Sequence, residues 1–560
     1  MTELTQSYYC GASNTQIIYQ TIGNYFDTIC ERYPDQEALV VCHQGIRWSY
    51  RQLQIEVNRL ATGLLALGIE PGDRIGIWGA NSYEWTLVQY ATAKIGAIMV
   101  CINPAYRLYE LEYALNKSSC RAIVTAAQFK SSDYLNMLKE LAPELSTCAP
   151  GKLRSTKLPH LETVIRMGEE ATPGMLNFFE ACRLGGTSDK HQLDALKRRL
   201  RPDDPINIQF TSGTTGAPKG ATLTHCNILN NGYLAGEGMR FSSEDRLCIP
   251  VPLYHCFGMV MGNLACMAHG ATAVYPDAAF DPLSTLRAVQ EERCTALHGV
   301  PTMFIGELDH AQFAEFDLTS LRTGIMAGAP CPVEVMQRVI GQMHLGEILI
   351  AYGQTEVSPI NHMTLPDDSL EKRTQTVGRA VPWVEIRVVD DAGIVVPVGT
   401  KGEICTRGYS VMRGYWDDEE RTRETIDPAG WLHSGDLGVM DREGYMQIVG
   451  RIKDMLIRGG ENIYPREIEE FLYSHPAIAE VQVFGVPDEK MGEEVCAWVQ
   501  LHTGTNLTED ALKGFCRGQI SHFKIPRYIR FVKEYPMTVT GKIQKFVMRE
   551  QMASELKEGD

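Results

Sequence analysis

"DRIGIWG" (Asp73–Gly79), "SYEWTLVQYATAKIGA" (Ser82–Ala97) and "IMVCINP" (Ile98–Pro104) follow one another almost without a break. The outer two are short apolar runs bounded by turn residues, the pattern of buried strands. The middle one reads as a helix. A strand, a helix and a strand in that order make a crossover unit, which sets the strands parallel. The same alternation returns at "CRAIVTA" (Cys120–Ala126), "LETVIRM" (Leu161–Met167), "ATAVYP" (Ala271–Pro276) and "GEILIAYG" (Gly346–Gly353). It predicts an α/β fold with layered helices and largely parallel strands. Upstream, Ser49 is placed to cap a helix whose Leu53, Val57, Leu60 and Leu64 share one face, with Gly68 at its end. "LSTCAPGKLRSTKLPH" (Leu145–His160), rich in Pro and Lys, reads as a surface excursion.

Past about residue 383 the texture changes. "EIRVVDDAGIVVPVGTKGEICTRG" (Glu385–Gly408) alternates apolar and polar residues between turn signals, which predicts antiparallel strands in a small barrel-like part. Further on, Pro465 suits the first turn of a helix with Ile468, Phe471 and Leu472 inward. "AEVQVFG" (Ala479–Gly485), "EVCAWVQL" (Glu494–Leu501) and a helix from Thr508 complete a small α+β unit. With 560 residues the chain exceeds one ordinary core. The expected division is 1–452, a large domain, and 453–560, a small mobile one.

The net charge of -16 argues against nucleic acid as a partner. Sixteen cysteines without a C-x-x-C pair or zinc spacing, behind an N-terminus lacking a signal peptide, predict reduced thiols and a cytoplasmic location. Between Arg246 and Asp277 no charged residue occurs. Pro250, Pro252, His255, Gly258, Gly262, His269 and Gly270 interrupt that stretch too often for a membrane span, so it reads as a buried pocket lining. A peripheral membrane contact and a homodimer stay open.

"TSGTTGAPKG" (Thr211–Gly220) follows the apolar "INIQF" and precedes a helix expected near Thr224. Glycines, hydroxyls and Lys219 together suit an anion such as phosphate. Lys219 follows Pro218 and precedes Gly220, which is not the order of a Walker A loop.

This loop resembles the phosphate loop of the adenylate-forming superfamily, which includes acyl-CoA synthetases, firefly luciferase and peptide-synthetase adenylation domains. "AYGQTE" (Ala351–Glu356), "HSGDLG" (His433–Gly438), "GRIKDMLIRGGENIYPREIE" (Gly450–Glu469) and "PMTVTGKIQK" (Pro536–Lys545) match the family's motifs in order. Within it the chain is most similar to medium- and long-chain fatty acyl-CoA synthetases.

The resemblance implies two steps using ATP, Mg²⁺ and CoA. A carboxylate attacks the α-phosphorus of ATP, releasing pyrophosphate; the CoA thiol then attacks the acyl-adenylate and AMP leaves. It places Thr211, Ser212, Gly213, Thr214, Thr215, Gly216, Ala217, Pro218 and Lys219 on the β- and γ-phosphates. Glu356 would hold Mg²⁺, Thr355 would face the α-phosphate, and Tyr352 would stack on adenine, with Gly328, Ala329 and Pro330 along its edge. Asp436 would accept the ribose hydroxyls beside Arg451, and Lys542 would bridge α-phosphate and carboxylate. For the second step the small domain swivels at Lys453, and Gly459 and Gly460 would line the path of the thiol.

"VPLYHCFGMVMG" (Val251–Gly262) matches the start of the acyl pocket, with His255 near the carboxylate. It lacks the acid that would pair with the ammonium of an amino acid substrate. Met259, Val260, Met261, Leu264 and Met267 suit an adaptable apolar pocket. The expectation is a fatty acid of medium to long chain, with an aryl acid, or a carrier-protein thiol in place of CoA, as alternatives.

Overall fold

The computed structural model describes residues 3–211, 218–329, 331–458, 461–488, 490–517, 519–538 and 543–558. The opening triplet folds as the sequence predicts. Strands Arg74–Trp78 and Ile98–Cys101 pair in parallel on either side of the helix Tyr83–Ile95, which Ser82 caps and Gly96 ends. They belong to an eight-stranded sheet. Its central strands Thr163–Arg166, Cys120–Thr125, Arg74–Trp78, Ile98–Cys101 and Pro205–Thr211 run parallel. Lys219–Thr224 and Gly414–Tyr415 then extend one edge antiparallel.

A nine-stranded sheet repeats the plan. Glu347–Tyr352, Thr323–Met326, Ala296–Gly299, Arg246–Cys248, Thr272–Tyr275 and Glu37–Val41 form its parallel centre, so their carboxyl ends open on one side. Helix Tyr50–Ala66 lies in the shared apolar core with Leu53, Val57, Leu60 and Leu64 buried. Ser49 and Gln52 close its capping box, which satisfies two otherwise orphaned backbone donors.

The antiparallel texture after residue 383 forms a five-stranded sheet that includes Val384–Val389, Lys401–Gly408, Leu432–Met440 and Met446–Arg451. Its pairing runs as an open row among the described residues. After a short 3₁₀ turn at Ile452–Asp454 comes a separate five-stranded sheet. Its long strands Ile478–Asp488 and Gly492–Leu501 pair over a core of Leu456, Ile468, Leu472, Val483 and Val495. Pro465 opens the helix Pro465–Tyr473, and Thr508 caps Glu509–Cys516.

One expectation needs correction, and one strand was not foreseen. The stretch Leu145–His160 is not simply a surface excursion, because Leu145, Leu153 and Leu158 are buried in a second core under the eight-stranded sheet. The helix expected near Thr224 begins at His225 with Thr224 as its cap, but the residues between loop and helix form a strand. Lys219–Thr224 returns as a strand, paired Thr211 with Lys219, and the helix His225–Gly238 begins only after it. All sixteen cysteines are free thiols, and no described helix is long and apolar enough to cross a membrane.

Candidate active site

The parallel strands of the nine-stranded sheet end where ligands gather in such folds, outside the strand carboxyl ends. Met326 pairs with Ile350, so Gly328 and Tyr352 lie level two residues beyond. Gly328 has φ +86, a left-handed conformation that favours glycine, and a Cβ there would meet Val300 at 3.2 Å. Gly328 and Ala329 are exposed.

Tyr352 connects this rim to the antiparallel sheet. Its hydroxyl donates to Asp436 Oδ2 at 2.6 Å. Asp436 pairs across the sheet with Arg451, whose Nε lies 2.9 Å from Oδ1. Asp436 is nearly buried, while half of the Arg451 side chain is exposed. Burial and the adjacent Asp436 carboxylate push the Tyr352 hydroxyl well above its usual pKa, and Asp436 likewise raises that of Arg451. Despite the ion pair, Asp436 Oδ1 accepts no hydrogen bond of usable geometry. A buried carboxylate oxygen left in that condition suits ligand hydroxyls, since unmade bonds to buried acceptors are costly.

A second group lies where the two large sheets meet. Glu356 follows Thr355 in the 3₁₀ turn Thr355–Val357 and is buried. Its Oε1 accepts from the Tyr415 hydroxyl at 2.9 Å and from Thr211 Oγ1 at 3.4 Å. Lys219 Nζ stands 4.7 Å over the Tyr415 ring, a cation–π distance. Thus Thr211, Lys219 and Glu356 gather around one phenol. Pro218 is also anchored, because the Tyr113 hydroxyl donates to its carbonyl at 3.2 Å. The residues between, Ser212, Gly213, Thr214, Thr215, Gly216 and Ala217, lie outside the described residues, as do Pro330, Gly459, Gly460 and Lys542. Glu356 with the Thr211 and Thr355 hydroxyls offers hard oxygen donors, the kind that Mg²⁺ takes together with substrate phosphates.

His255 begins the apolar segment. The backbone N–H of Phe257 donates to its Nδ1 at 3.2 Å, and the neighbouring Cys256 thiol lies within hydrogen-bond reach of Thr355. Phe257–Leu264 then runs as a wholly buried π-helix, with Met259, Val260, Met261 and Leu264 all in the main core. An apolar wall therefore starts at the polar centre and leads inward.

On the C-terminal unit, an antiparallel bridge between Met537 and Ile543 and a 2.8 Å bond from Gln544 N to Pro536 O anchor the chain on both sides of Lys542.

Sequence reading missed Tyr415, Tyr113 and Glu403. Glu403 accepts from Gly435 N at 3.0 Å and lies 2.7 Å from His433 Nδ1, holding the turn before Asp436. Cys405 completes this cluster, 3.5 Å from the same His433 nitrogen. Nothing in the spacing of "KGEICTRG" or "MRGYWDD" marks Glu403 or Tyr415, because cross-strand register brings them in, and Tyr113 arrives from the helix Leu108–Lys117.

Residues 26–416 match the model of the AMP-binding enzyme family, and residues 467–542 match the AMP-binding enzyme C-terminal domain. The chain is 48% identical over 556 residues to a mitochondrial medium-chain acyl-CoA ligase, ACSF2, of Danio rerio, covering 99% of this chain and 92% of that one. It superposes on an anthranilate CoA ligase, AuaEII, in complex with anthranoyl-AMP. There the TM-score is 0.83 and the identity 26%, over 96% of this chain and 98% of that one. A fatty acyl-CoA synthetase of Mycobacterium tuberculosis gives a TM-score of 0.70 at 27% identity, over 96% and 99% of the two chains.

Proposed function

This chain belongs to the AMP-binding, adenylate-forming enzymes, and we propose that it activates medium- to long-chain fatty acids as an ATP-dependent acid–thiol ligase forming acyl-CoA. The observation that carries the substrate class is the uncharged wall Phe257–Leu264 beginning beside Thr355 and Glu356. A fatty acid has a charged head and an apolar tail, and this arrangement offers a polar centre continuous with an apolar interior. The ligase of Danio rerio, named for medium-chain acids, supports that reading over the aryl one, since the aryl-acid ligase shares only 26% identity.

In this proposal Asp436 and Arg451 receive the ribose, and Tyr352 carries the adenine while its hydroxyl steadies Asp436. Gly328, Ala329 and Pro330 border the base. Thr211 to Lys219 hold the β- and γ-phosphates, and Glu356 would hold Mg²⁺, whose charge offsets that of the phosphates. Thr355 and His255 face the reacting carboxylate. Lys542 supplies the charge that stabilises negative charge developing between carboxylate and α-phosphate. Rotation of residues 453–560 about Lys453 then brings Gly459 and Gly460 to the CoA thiol. The 3₁₀ turn between two separate sheets supports a swivel there. The free thiols support a reducing compartment, and a cytoplasmic location is part of the proposal.

Pyrophosphate exchange over a panel of fatty, aryl and amino acids tests this reading, followed by thioester formation with CoA and with a carrier-protein thiol. Buried methylenes contribute about 0.8 kcal/mol each, so kcat/KM should climb with chain length until the pocket ends. A maximum with benzoates or amino acids refutes it.

A further inference from the structure

A π-helix eight residues long is unusual, since such turns occur mostly singly and often at functional sites. The one at Phe257–Leu264 has three carbonyls that accept side-chain hydrogen bonds from buried residues far away in sequence. Met259 O accepts from Gln89 Nε2 at 3.3 Å and Asn263 O from the Tyr90 hydroxyl at 3.2 Å, both donors lying on the helix Tyr83–Ile95. Met261 O faces His298 Nε2 at 3.0 Å. Because the backbone N–H of Ile325 donates to His298 Nδ1 at 3.2 Å, the ring proton belongs on Nε2 and is given to Met261. Full burial pushes His298 down to about 4, so the imidazole stays neutral in this role.

Positions four apart return near one face of so wide a helix, and the position between them faces the other way. The segment is thus gripped from opposite sides. Asn263 strengthens one grip: its Nδ2 donates to Gln89 Oε1 at 2.9 Å, and its Oδ1 accepts from the Tyr275 hydroxyl at 2.5 Å. Gly232 lets the neighbouring helix approach as well, since a Cβ there would stand 2.9 Å from Val260 O. None of these groups lies among the polar residues assigned to ATP or to the carboxylate.

We propose that Gln89, Asn263 and His298 are specificity-determining positioning residues, which hold Phe257–Leu264 in π register and thereby fix the depth of the acyl pocket. This rests on the functional reading above, in that the wall contacts an alkyl chain. Releasing a carbonyl lets the segment relax toward the tighter α register. That turns Met261 and Leu264 about the helix axis and moves the surface against which the chain ends.

Histidine can be divided to test this. His298→Asn keeps an acceptor for Ile325 but loses the reach to Met261, whereas His298→Gln keeps the donor for Met261. Tyr275→Phe removes a single hydroxyl and serves if the histidine variants fold poorly. The readout is the ratio of kcat/KM for the parent's best acid to that for an acid four carbons shorter, with KM for ATP and a thermal melt alongside. His298→Asn should change the ratio at least tenfold while KM for ATP moves less than twofold; His298→Gln should restore the parent ratio, and Tyr275→Phe should shift it two- to fivefold. Uniform loss at every chain length, or an equal shift in both histidine variants, overturns the proposal. A parent that activates no alkyl carboxylate overturns the functional reading and this proposal with it. An active parent whose variants leave the ratio unmoved overturns this proposal alone.

Discussion

The proposed nucleotide rim and the proposed acyl wall solve opposite problems with different chemistry. At the rim the polar contacts involve charged side chains: Asp436 pairs with Arg451, and Glu356 and Lys219 both contact Tyr415. Along the wall Gln89, Tyr90, Asn263, Tyr275 and His298 are all neutral and all buried. A nucleotide brings charge and hydroxyls that take over the partners it displaces. An alkyl chain brings nothing of that kind, so any charge facing it would stay uncompensated at high cost. Polar backbone in the wall must therefore be satisfied within the protein, by donors that carry no charge. Each region is polar only to the extent that its ligand can compensate.

The comparison can be broken at its strongest point first. Lys542→Ala removes a charge that in the proposed mechanism acts on the polar side alone, and should slow adenylation by roughly 10²–10³-fold. Thioester formation from ready-made acyl-adenylate should remain near the parent rate. Pyrophosphate exchange and single-turnover thioesterification measure the two halves separately, and greater loss in the second would move Lys542 to CoA binding.

Asp436→Ala should lower kcat/KM for ATP by roughly 10–150-fold, the value of one or two charge-assisted bonds. The chain-length profile should stay in place, because the wall is held independently. A profile that moved with Asp436 would mean that the two regions are coupled.

Elsewhere in the interior, Glu307 is a carboxyl buried within the helix Pro301–Leu308 with neither oxygen bonded. Burial raises it well above the usual carboxylate range, so it is neutral in the folded protein. Unfolded, it ionises above its ordinary value of 4.5. Its folded pKa being the higher, stability is greatest below that value and falls as pH rises. Glu307→Met should then stabilise the protein by about 1–3 kcal/mol at pH 8 and by less at pH 4.5. Thermal midpoints at both pH values decide it; an equal gain at both would show that Glu307 ionisation plays no part.

Tyr415→Phe tests the smallest effect. The ring that supports Lys219 remains, and only the bond to Glu356 is lost. About 0.5–1.5 kcal/mol corresponds to roughly a two- to tenfold fall in kcat for adenylation. A titration with Mg²⁺ should show the loss growing at low metal if Glu356 is its ligand.

The sequence by itself determined what short-range chemistry can encode. Ser49, Thr508 and Pro465 stand where helices begin, because a cap acts within three or four residues. The apolar runs that became parallel strands carry their burial in composition. The motifs likewise single out Asp436, Glu356, Tyr352 and Arg451, while the folding of two sheets makes Tyr352 and Arg451 meet at Asp436. Tertiary structure decided the rest. "KGATLT" has no strong period of its own, and it is a strand because Pro205–Thr211 and Gly414–Tyr415 pair with its two sides. Leu153 and Leu158 lie in a segment that looks like a loop, and they are buried because that segment crosses a core built elsewhere. The π register of Phe257–Leu264 has no signature in its residues. It holds because Gln89, Tyr90 and His298, distant in the chain, arrive at its carbonyls. Whether a backbone group finds such a partner is settled only when the layers close, and no local window of sequence contains that information.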